Sequence, residues 1–282
     1  MKLATFQDGS RDGQLAVVSR DLTSAHFASH VATTLQQVLD DWNFISPQLE
    51  DLYATLNGGK ARHAFPFDPR QCMAPLPRAH QRLAGAAAPD GSVHLAQLPS
   101  DDLLGPWADV LLANHGMGAG CIAALAVITG DVVMGVDAAA GLDAVRLLLL
   151  AADWAQPDGA PLAAACSPVA VTPDDMGTGW RGGRAHLKFE QLVRGAQPGS
   201  GQPGQRTGLD DIATAMPRHV GELIAAAART RRLRAGCILG WSFGAGAVQA
   251  LQPGDSLRID LLARDGQSVF GAIDQRLMAP AG

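Results

Sequence analysis

The fold is decided by Gly118-Ala-Gly-Cys-Ile-Ala-Ala-Leu-Ala-Val-Ile-Thr-Gly-Asp131. The segment is apolar and rich in β-branched residues until it reaches a Gly-Asp turn, which predicts a buried strand. Val132-Val-Met-Gly-Val136 continues the strand character, and apolar residues from Ala138 to Leu150 then recur at helical spacing. We therefore predict a buried strand followed by a helix, with the lone acid Asp153 just beyond the hydrophobic segment.

Length and composition favour a globular protein without a nucleic-acid or membrane partner. The 282 residues suffice for one domain of about 200 residues and a smaller one. A formal net charge of -5 provides no basic surface for nucleic acid. The apolar runs are far shorter than the ~18 residues that a spanning helix needs, and the N-terminal residues do not form a signal peptide. We therefore expect a cytoplasmic protein.

The four cysteines favour the same compartment. They are widely separated and form no C-x-x-C motif, so a zinc site is not indicated. Without a secretory signal, they are interpreted as reduced thiols that fill space in the core.

The N-terminal part is predicted to be a small α+β domain. Lys2 to Phe6 and Gln14 to Ser19 form a hairpin pattern, and Thr33 to Leu56 has helical periodicity that Pro47 should divide in two. Asn57-Gly-Gly59 should end the helix. Proline-rich sequence near residues 70 to 80 then indicates a boundary, which gives domains of residues 1–72 and 73–282.

The second part has short strand patterns separated by glycine and proline, which is typical of a β-rich domain with a few helices. Val220 to Arg229 is amphipathic and predicts one helix. Residues 253–262 and 268–273 predict two strands joined by an Ala-Arg-Asp-Gly turn. Gly195 to Gly208 has low complexity and few apolar residues, so we expect a flexible loop there.

Several segments resemble the fumarylacetoacetate hydrolase family, and together they span almost the whole chain. They are Met1 to Leu15, Ala64-Phe-Pro-Phe-Asp68, Ala126-Val-Ile-Thr-Gly-Asp131, Arg146-Leu-Leu-Leu-Leu150 with Asp153, Ser167-Pro-Val-Ala-Val-Thr-Pro-Asp-Asp175 and Phe270-Gly-Ala-Ile-Asp-Gln275. The resemblance implies an α+β, β-rich fold, with a mixed β-sandwich or roll domain after a small α+β N-terminal domain.

The same resemblance implies a divalent metal site whose ligands are largely missing. The family's Glu-x-Glu pair falls at Ile122 and Ala124, and its first metal Asp falls at Ala84. Asp153 is the one carboxylate of the set that is retained. Because Mg²⁺ needs several oxygen ligands, we expect no cofactor, or Mg²⁺ or another divalent cation if the site is partly kept.

Three residues are weak candidates for catalysis. His94 and His115 lie where the family builds its acid-base pair, although neither sits in the family motif. Ser242 lies in Gly240-Trp-Ser-Phe-Gly244, which matches the G-x-S-x-G pattern of serine hydrolases. No His follows Ser242 in the chain, and a loop serine without a chemical role is the competing interpretation.

The resemblance implies hydrolysis of a carbon–carbon bond in fumarylacetoacetate-like or acylpyruvate 1,3-diketo acids, as in aromatic catabolism. The missing ligands instead favour a divergent homologue with a degenerate site and little or no such activity. Metal-dependent hydrolysis is the alternative, and a subunit that partners an active paralogue is a third interpretation. A homodimer and a small diketo-acid-like ligand are further expectations.

Asp153 itself has two interpretations. A cap or turn residue after Val145 to Ala152 would change stability by roughly 1 kcal/mol or less when replaced by alanine. In a surviving pocket, Asp153 should lie in water at the mouth or accept hydrogen bonds from nearby backbone N–H groups, without a cation over it.

Overall fold

The structure is a computed structural model that describes residues 1–88, 90–112, 114, 117–195, 204–243 and 251–280. Strands dominate these residues, and the helices are short apart from one in the N-terminal part. The prediction of an α+β, β-rich fold is confirmed. Among the described residues, no helix has both the length and the apolar character needed to cross a membrane.

The N-terminal part holds four strands, two helices and one 3-10 turn. These are β1 (Lys2–Phe6), β2 (Gln14–Val18), β3 (Ser24–Phe27), α1 (Leu35–Asp40), α2 (Trp42–Asn57), β4 (Phe65–Pro66) and a 3-10 turn at Pro69–Gln71.

The remainder is built mainly of strands. They are β5 (Gln81–Ala87), β6 (Val93–Leu98), β7 (Val110–Leu111), β8 (Gly120–Thr129), β9 (Val145–Ala155), β10 (Pro161–Cys166), β11 (Val169–Val171), β12 (Trp180–Arg181), β13 (Arg184–Ala185), β14 (Lys188–Arg194), β15 (Gln205–Leu209), β16 (Cys237–Ser242), β17 (Ser256–Leu262) and β18 (Ile273–Met278). The helices are α3 (Ala138–Asp143) and α4 (Val220–Ala227), with 3-10 segments at Asp174–Gly179 and Ile212–Thr214.

One large sheet runs through both parts of the chain. Its order is β4-β3-β2-β1-β11-β9-β8-β16-β5-β6, and β10 pairs with β9 beside this path. β16 and β5 are parallel, whereas β8 is antiparallel to both β9 and β16. A second sheet has the order β15-β14-β17-β18-β7, and β12 pairs with β13. Because β1 pairs with β11, the two predicted domains share the sheet; their division at residue 72 stays a prediction.

The predicted strand is confirmed as β8, but the segment after it was predicted wrongly. Val132 makes one isolated bridge to Leu233, and Val133 and Met134 are exposed rather than in a strand. The predicted helix is limited to α3, because Val145–Ala155 forms β9. β9 pairs with β8 along nearly its whole length, and this tertiary pairing overrides the helical spacing of its leucines.

The helical prediction for Thr33 to Leu56 is confirmed, but the position of the break is wrong. The chain divides at Asp41, and Pro47 lies inside α2. Pro47 is the sixth residue of α2, so its missing N–H removes one i→i−4 hydrogen bond, to the Asn43 carbonyl, without ending the helix. The helix ends at Asn57, and Gly59 adopts φ +67, as the Asn-Gly-Gly signal predicts.

Other loop predictions have mixed outcomes. α4 and the predicted N-terminal hairpin are confirmed. The turn at residues 263–266 is present and Gly266 has φ +82, but the following strand begins at Ile273 rather than at Ser268. Gln205–Leu209 pairs with β14 instead of forming part of a loop, and residues 196–203 lie outside the described residues.

The central strands are buried on both faces. Alternate residues of β8 and β9, such as Leu125 and Leu148, join the core formed with α4 and the second sheet. The residues between them, such as Ile128 and Leu149, join the core formed with α1 and α2. Double-sided burial explains why these strands are continuous apolar runs without alternation.

The four cysteines are described as free thiols. Burial raises the pKa of Cys72 and of Cys166 to about 12. Because the thiolate is the reactive form, we expect both to resist dithionitrobenzoate at pH 8 in the native protein and to react once it is unfolded. Rapid labelling of either thiol before unfolding would contradict their placement in the core.

Candidate functional site

The residues predicted as remnants of the metal site lie on one face of the large sheet. Ile122 on β8 is directly opposite Asp153 on β9, and Ala124 is opposite Ala151. Ser242 on β16 is opposite Ala124 from the other side. Directly paired residues project from the same face of a sheet, so the structure brings these positions together.

Asp153 forms an ion pair with Arg82, which lies on β5. The Arg82 guanidinium Nη2 donates a hydrogen bond to Asp153 Oδ1, although β8 and β16 lie between the two strands. The Arg82 side chain is 5% exposed and the Asp153 carboxylate is 24% exposed. A buried guanidinium therefore supplies the positive charge beside Asp153.

Small residues on the two intervening strands leave room for the Arg82 side chain to reach Asp153. Ala84, Ala124, Ala126 and Gly240 line the space beside the ion pair, where larger side chains would obstruct Arg82. The cavity that remains has a volume of about 20 Å³. A volume of this size holds about one water molecule, so the ion pair and its alanine surroundings nearly fill the site.

The structure contradicts the interpretation of Asp153 as a cap or turn residue and gives it a partner that neither interpretation included. Asp153 lies within β9, two residues before its end, and is therefore not a cap or turn residue. Its described hydrogen-bond donor is the Arg82 guanidinium rather than a backbone N–H group, and its side chain remains 24% exposed. The role of Arg82 was not predicted from the sequence, in which it is a single charged residue followed by five apolar or small ones, Leu83 to Ala87.

The residues present do not fit a divalent cation. Asp153 is already paired with Arg82, and Ile122 and Ala124 offer no oxygen ligands. Within the described part of the chain, no three His, Cys, Asp or Glu side chains are grouped so that they could hold a metal ion. Hard divalent cations need several oxygen ligands, which this face does not provide.

The two candidate catalytic residues that the structure describes, His94 and Ser242, lie on different strands of the large sheet. His94 lies on the exposed strand β6, opposite Ala86. Ser242 ends β16 and contributes to the small cavity, but the segment 244–250 that should form its elbow is outside the described residues. His115 also lies outside them, so its catalytic role stays a prediction.

The comparisons with known proteins identify related chains. Residues 1–78 match the family described as fumarylacetoacetase N-terminal domain 2. The search of curated proteins found no match. Maleylpyruvate hydrolase from Sphingobium sp. SYK-6, solved with manganese(II) and pyruvate, has a similar structure, with a TM-score of 0.73, 18% identity and 100% of each chain covered.

A further similar structure is a probable 2-hydroxyhepta-2,4-diene-1,7-dioate isomerase from Mycobacterium abscessus, with a TM-score of 0.71, 17% identity and 100% coverage of each chain. At such identities the likeness establishes the fold. The homodimer, the diketo-acid ligand and the partner paralogue stay predictions. Residues 1–78 thus match a fumarylacetoacetase-type N-terminal domain, and the chain as a whole shares the fold of these hydrolase and isomerase structures.

Proposed function

We propose that this chain is a divergent relative of the fumarylacetoacetate hydrolase family without metal-dependent carbon–carbon hydrolase activity. The observation that carries the proposal is the ion pair between Arg82 and Asp153. It places an internal, permanently charged guanidinium against the carboxylate that would otherwise be available to a metal. The site is thereby neutralised by the protein itself.

Electrostatics and ligand count support the same proposal. A divalent ion bound to Asp153 would lie close to the buried Arg82 guanidinium, whose positive charge would repel it. Neither Ile122 nor Ala124 supplies a negative charge to offset this repulsion. Metal binding here would therefore lose both coordination bonds and charge compensation.

The remaining space argues against an acylpyruvate substrate at this position. The cavity of about 20 Å³ beside Arg82 has room for about one water molecule. Pockets that bind small organic molecules usually have ≈ 300–1,000 Å³. A diketo acid would thus need the ion pair and the surrounding strands to move apart.

Metal titration and an activity assay test the proposal. We expect calorimetry with Mn²⁺ or Mg²⁺ to detect no site with a Kd below about 1 mM, since binding of that strength already requires about 4 kcal/mol. We also expect no turnover of acylpyruvates, including maleylpyruvate, with either metal. The maleylpyruvate hydrolase from Sphingobium sp. SYK-6, assayed in parallel, is the positive control. Stoichiometric metal binding with metal-dependent turnover would instead establish the alternative, an ordinary metal-dependent hydrolase.

A further inference from the structure

A second cavity lies away from the Arg82–Asp153 pair and is much larger. Its volume is about 310 Å³, and its wall is formed by the start of β1, the 3-10 segment Asp174–Gly179 and the loop after β17. Its charged lining residues are Lys2, Arg20, Asp175, Arg264 and Asp265. The proposed function above makes no use of this cavity.

Lys2 is an unusual component of the cavity wall because it is a buried amine without a paired carboxylate. The residue is 4% exposed, and its Nζ donates a hydrogen bond to the Val269 carbonyl. The surrounding charged groups are Asp175, Arg20, Asp21 and Asp260. Among the described ion pairs within 4 Å, none involves Lys2. Its amine therefore has hydrogen-bonding capacity left for a group in the cavity.

Asp175 contributes an unused acceptor to the same wall. The carboxylate is 3% exposed, and its Oδ1 accepts hydrogen bonds from Tyr53 Oη at 2.8 Å and from Arg20 at 3.4 Å. Its Oδ2 is buried without a hydrogen-bond partner among the described residues. Asp175 therefore places a buried negative charge behind the cavity wall, where it favours the charged form of Lys2 and partly opposes the effect of burial.

The charges at the cavity favour an anionic ligand. Lys2, Arg20 and Arg264 supply three cationic groups, whereas Asp175 and Asp265 supply two carboxylates. Asp175 Oδ1 is already engaged by Arg20, which leaves the Arg264 guanidinium to attract a negative group when the Lys2 amine is neutral. Guanidinium groups bind carboxylates well because their N–H donors match the two carboxylate oxygens.

We propose that this cavity binds a small oxo acid whose carbonyl carbon forms an imine with Lys2 Nζ. The neutral amine donates its lone pair to the carbonyl carbon, which forms a C–N bond and a carbinolamine. One amine proton passes to the carbonyl oxygen as the carbinolamine forms, and the other leaves with the hydroxyl as water, which leaves a C=N bond and changes no oxidation state. Arg264, which lines the same cavity, binds the carboxylate of the oxo acid.

Burial prepares Lys2 for this chemistry. Desolvation lowers the pKa of Lys2 from 10.5 to about 8, and Asp175 partly opposes that shift. At pH 7.5, roughly a quarter of an amine with a pKa of 8 is neutral, compared with about one in a thousand for an ordinary lysine. Only the neutral amine attacks a carbonyl, so Lys2 should react much faster than an exposed lysine.

Reductive trapping provides a direct test because the chain has only three lysines, Lys2, Lys60 and Lys188. The intact protein is incubated with glyoxylate at pH 7.5 and cyanoborohydride, and peptide mapping by mass spectrometry then locates the added carboxymethyl group. We expect Lys2 to be modified at least tenfold faster than the exposed Lys60 and Lys188, which are controls within the same molecule. Lys2→Arg should abolish this modification while the N-terminal amine remains present.

A charge control separates the cavity from general amine reactivity. Arg264→Ala should slow trapping with glyoxylate at Lys2 at least fivefold, yet leave trapping with uncharged acetaldehyde unchanged. Thermal unfolding of each variant verifies that the fold is retained, and Lys2→Met provides a second variant if Lys2→Arg does not fold. Equal labelling of all three lysines, or labelling only at the N-terminal amine, would overturn the proposal.

Discussion

Asp153→Ala is expected to lower the free energy of unfolding by about 3 kcal/mol, because it leaves the Arg82 guanidinium buried without a partner. This result would replace the expectation for a turn residue, for which the change would be about 1 kcal/mol or less. Arg82→Ala should cost less, since the Asp153 carboxylate that it leaves behind is 24% exposed and can be hydrated. Denaturant unfolding monitored by circular dichroism measures both changes.

A double-mutant cycle isolates the interaction between the two side chains. Combining Arg82→Ala with Asp153→Ala should be less destabilising than the sum of the single variants by about 2 kcal/mol, because neither charge is then left unpaired. The matched control is the surface pair of Arg78 and Asp12, whose side chains are 47% and 44% exposed. The corresponding cycle there should give a coupling below about 1 kcal/mol. Similar coupling energies for the two pairs would show that Arg82 is not effectively buried against Asp153.

The strands and helices that depend on local sequence could be predicted, whereas β9 could not. The β-branched residues of β8 and the glycines after α2 act locally, and both predictions are confirmed. Leu147 to Leu150 are all fully buried, so their sequence carries no polar positions that would reveal a period of two. Periodicity cannot distinguish a strand buried on both faces from a buried helix, and pairing with β8 decides between them.

The sequence predicted which residues lie together at the candidate site, but it did not predict the partner of Asp153. Asp153, Ile122 and Ala124 do lie together, as the family resemblance implies. The partner of Asp153 was missed because Arg82 is 71 residues away in sequence and reaches it across two intervening strands. The repeated small residues at Ala124, Ala126 and Gly240 were the available signal, because they leave room for a long side chain over the sheet.

The cavity at Lys2 left no motif in the sequence. From the sequence, a lysine at the start of a strand is expected to reach solvent. In the structure, however, every residue of β1 is buried, including Lys2. Its burial results from the loop that follows β17, more than 260 residues later, whose Val269 carbonyl accepts its hydrogen bond. Only the three-dimensional structure places these segments together with Asp175.

Lys2→Met is expected to raise the free energy of unfolding at neutral pH by about 3 kcal/mol, because it removes the cost of burying a charged amine. Lys2 has a pKa of about 8 in the folded chain and an ordinary value of 10.5 when unfolded. Between these values the unfolded state binds more protons, so stability increases with pH by about 1.4 kcal/mol per pH unit. Below pH 8 the folded protein bears the full penalty of a buried ammonium, and above about pH 10.5 that penalty is absent.

Comparison of the two proteins between pH 7 and 9.5 measures this contribution. The buried thiols have the opposite effect and lower the stability as the pH rises. Unfolded cysteines ionise above about pH 8.5, whereas burial raises the pKa values of Cys72 and Cys166 in the folded state. Both proteins carry these thiols, so their effect cancels in the difference. We expect Lys2→Met to exceed the wild type in stability most at pH 7. This difference should shrink by about 1 kcal/mol between pH 8 and 9, because Lys2 of the folded wild-type protein is then increasingly neutral and the cost of burying its charge disappears. Parallel pH profiles would mean that Lys2 keeps an ordinary pKa and that its amine is in contact with solvent.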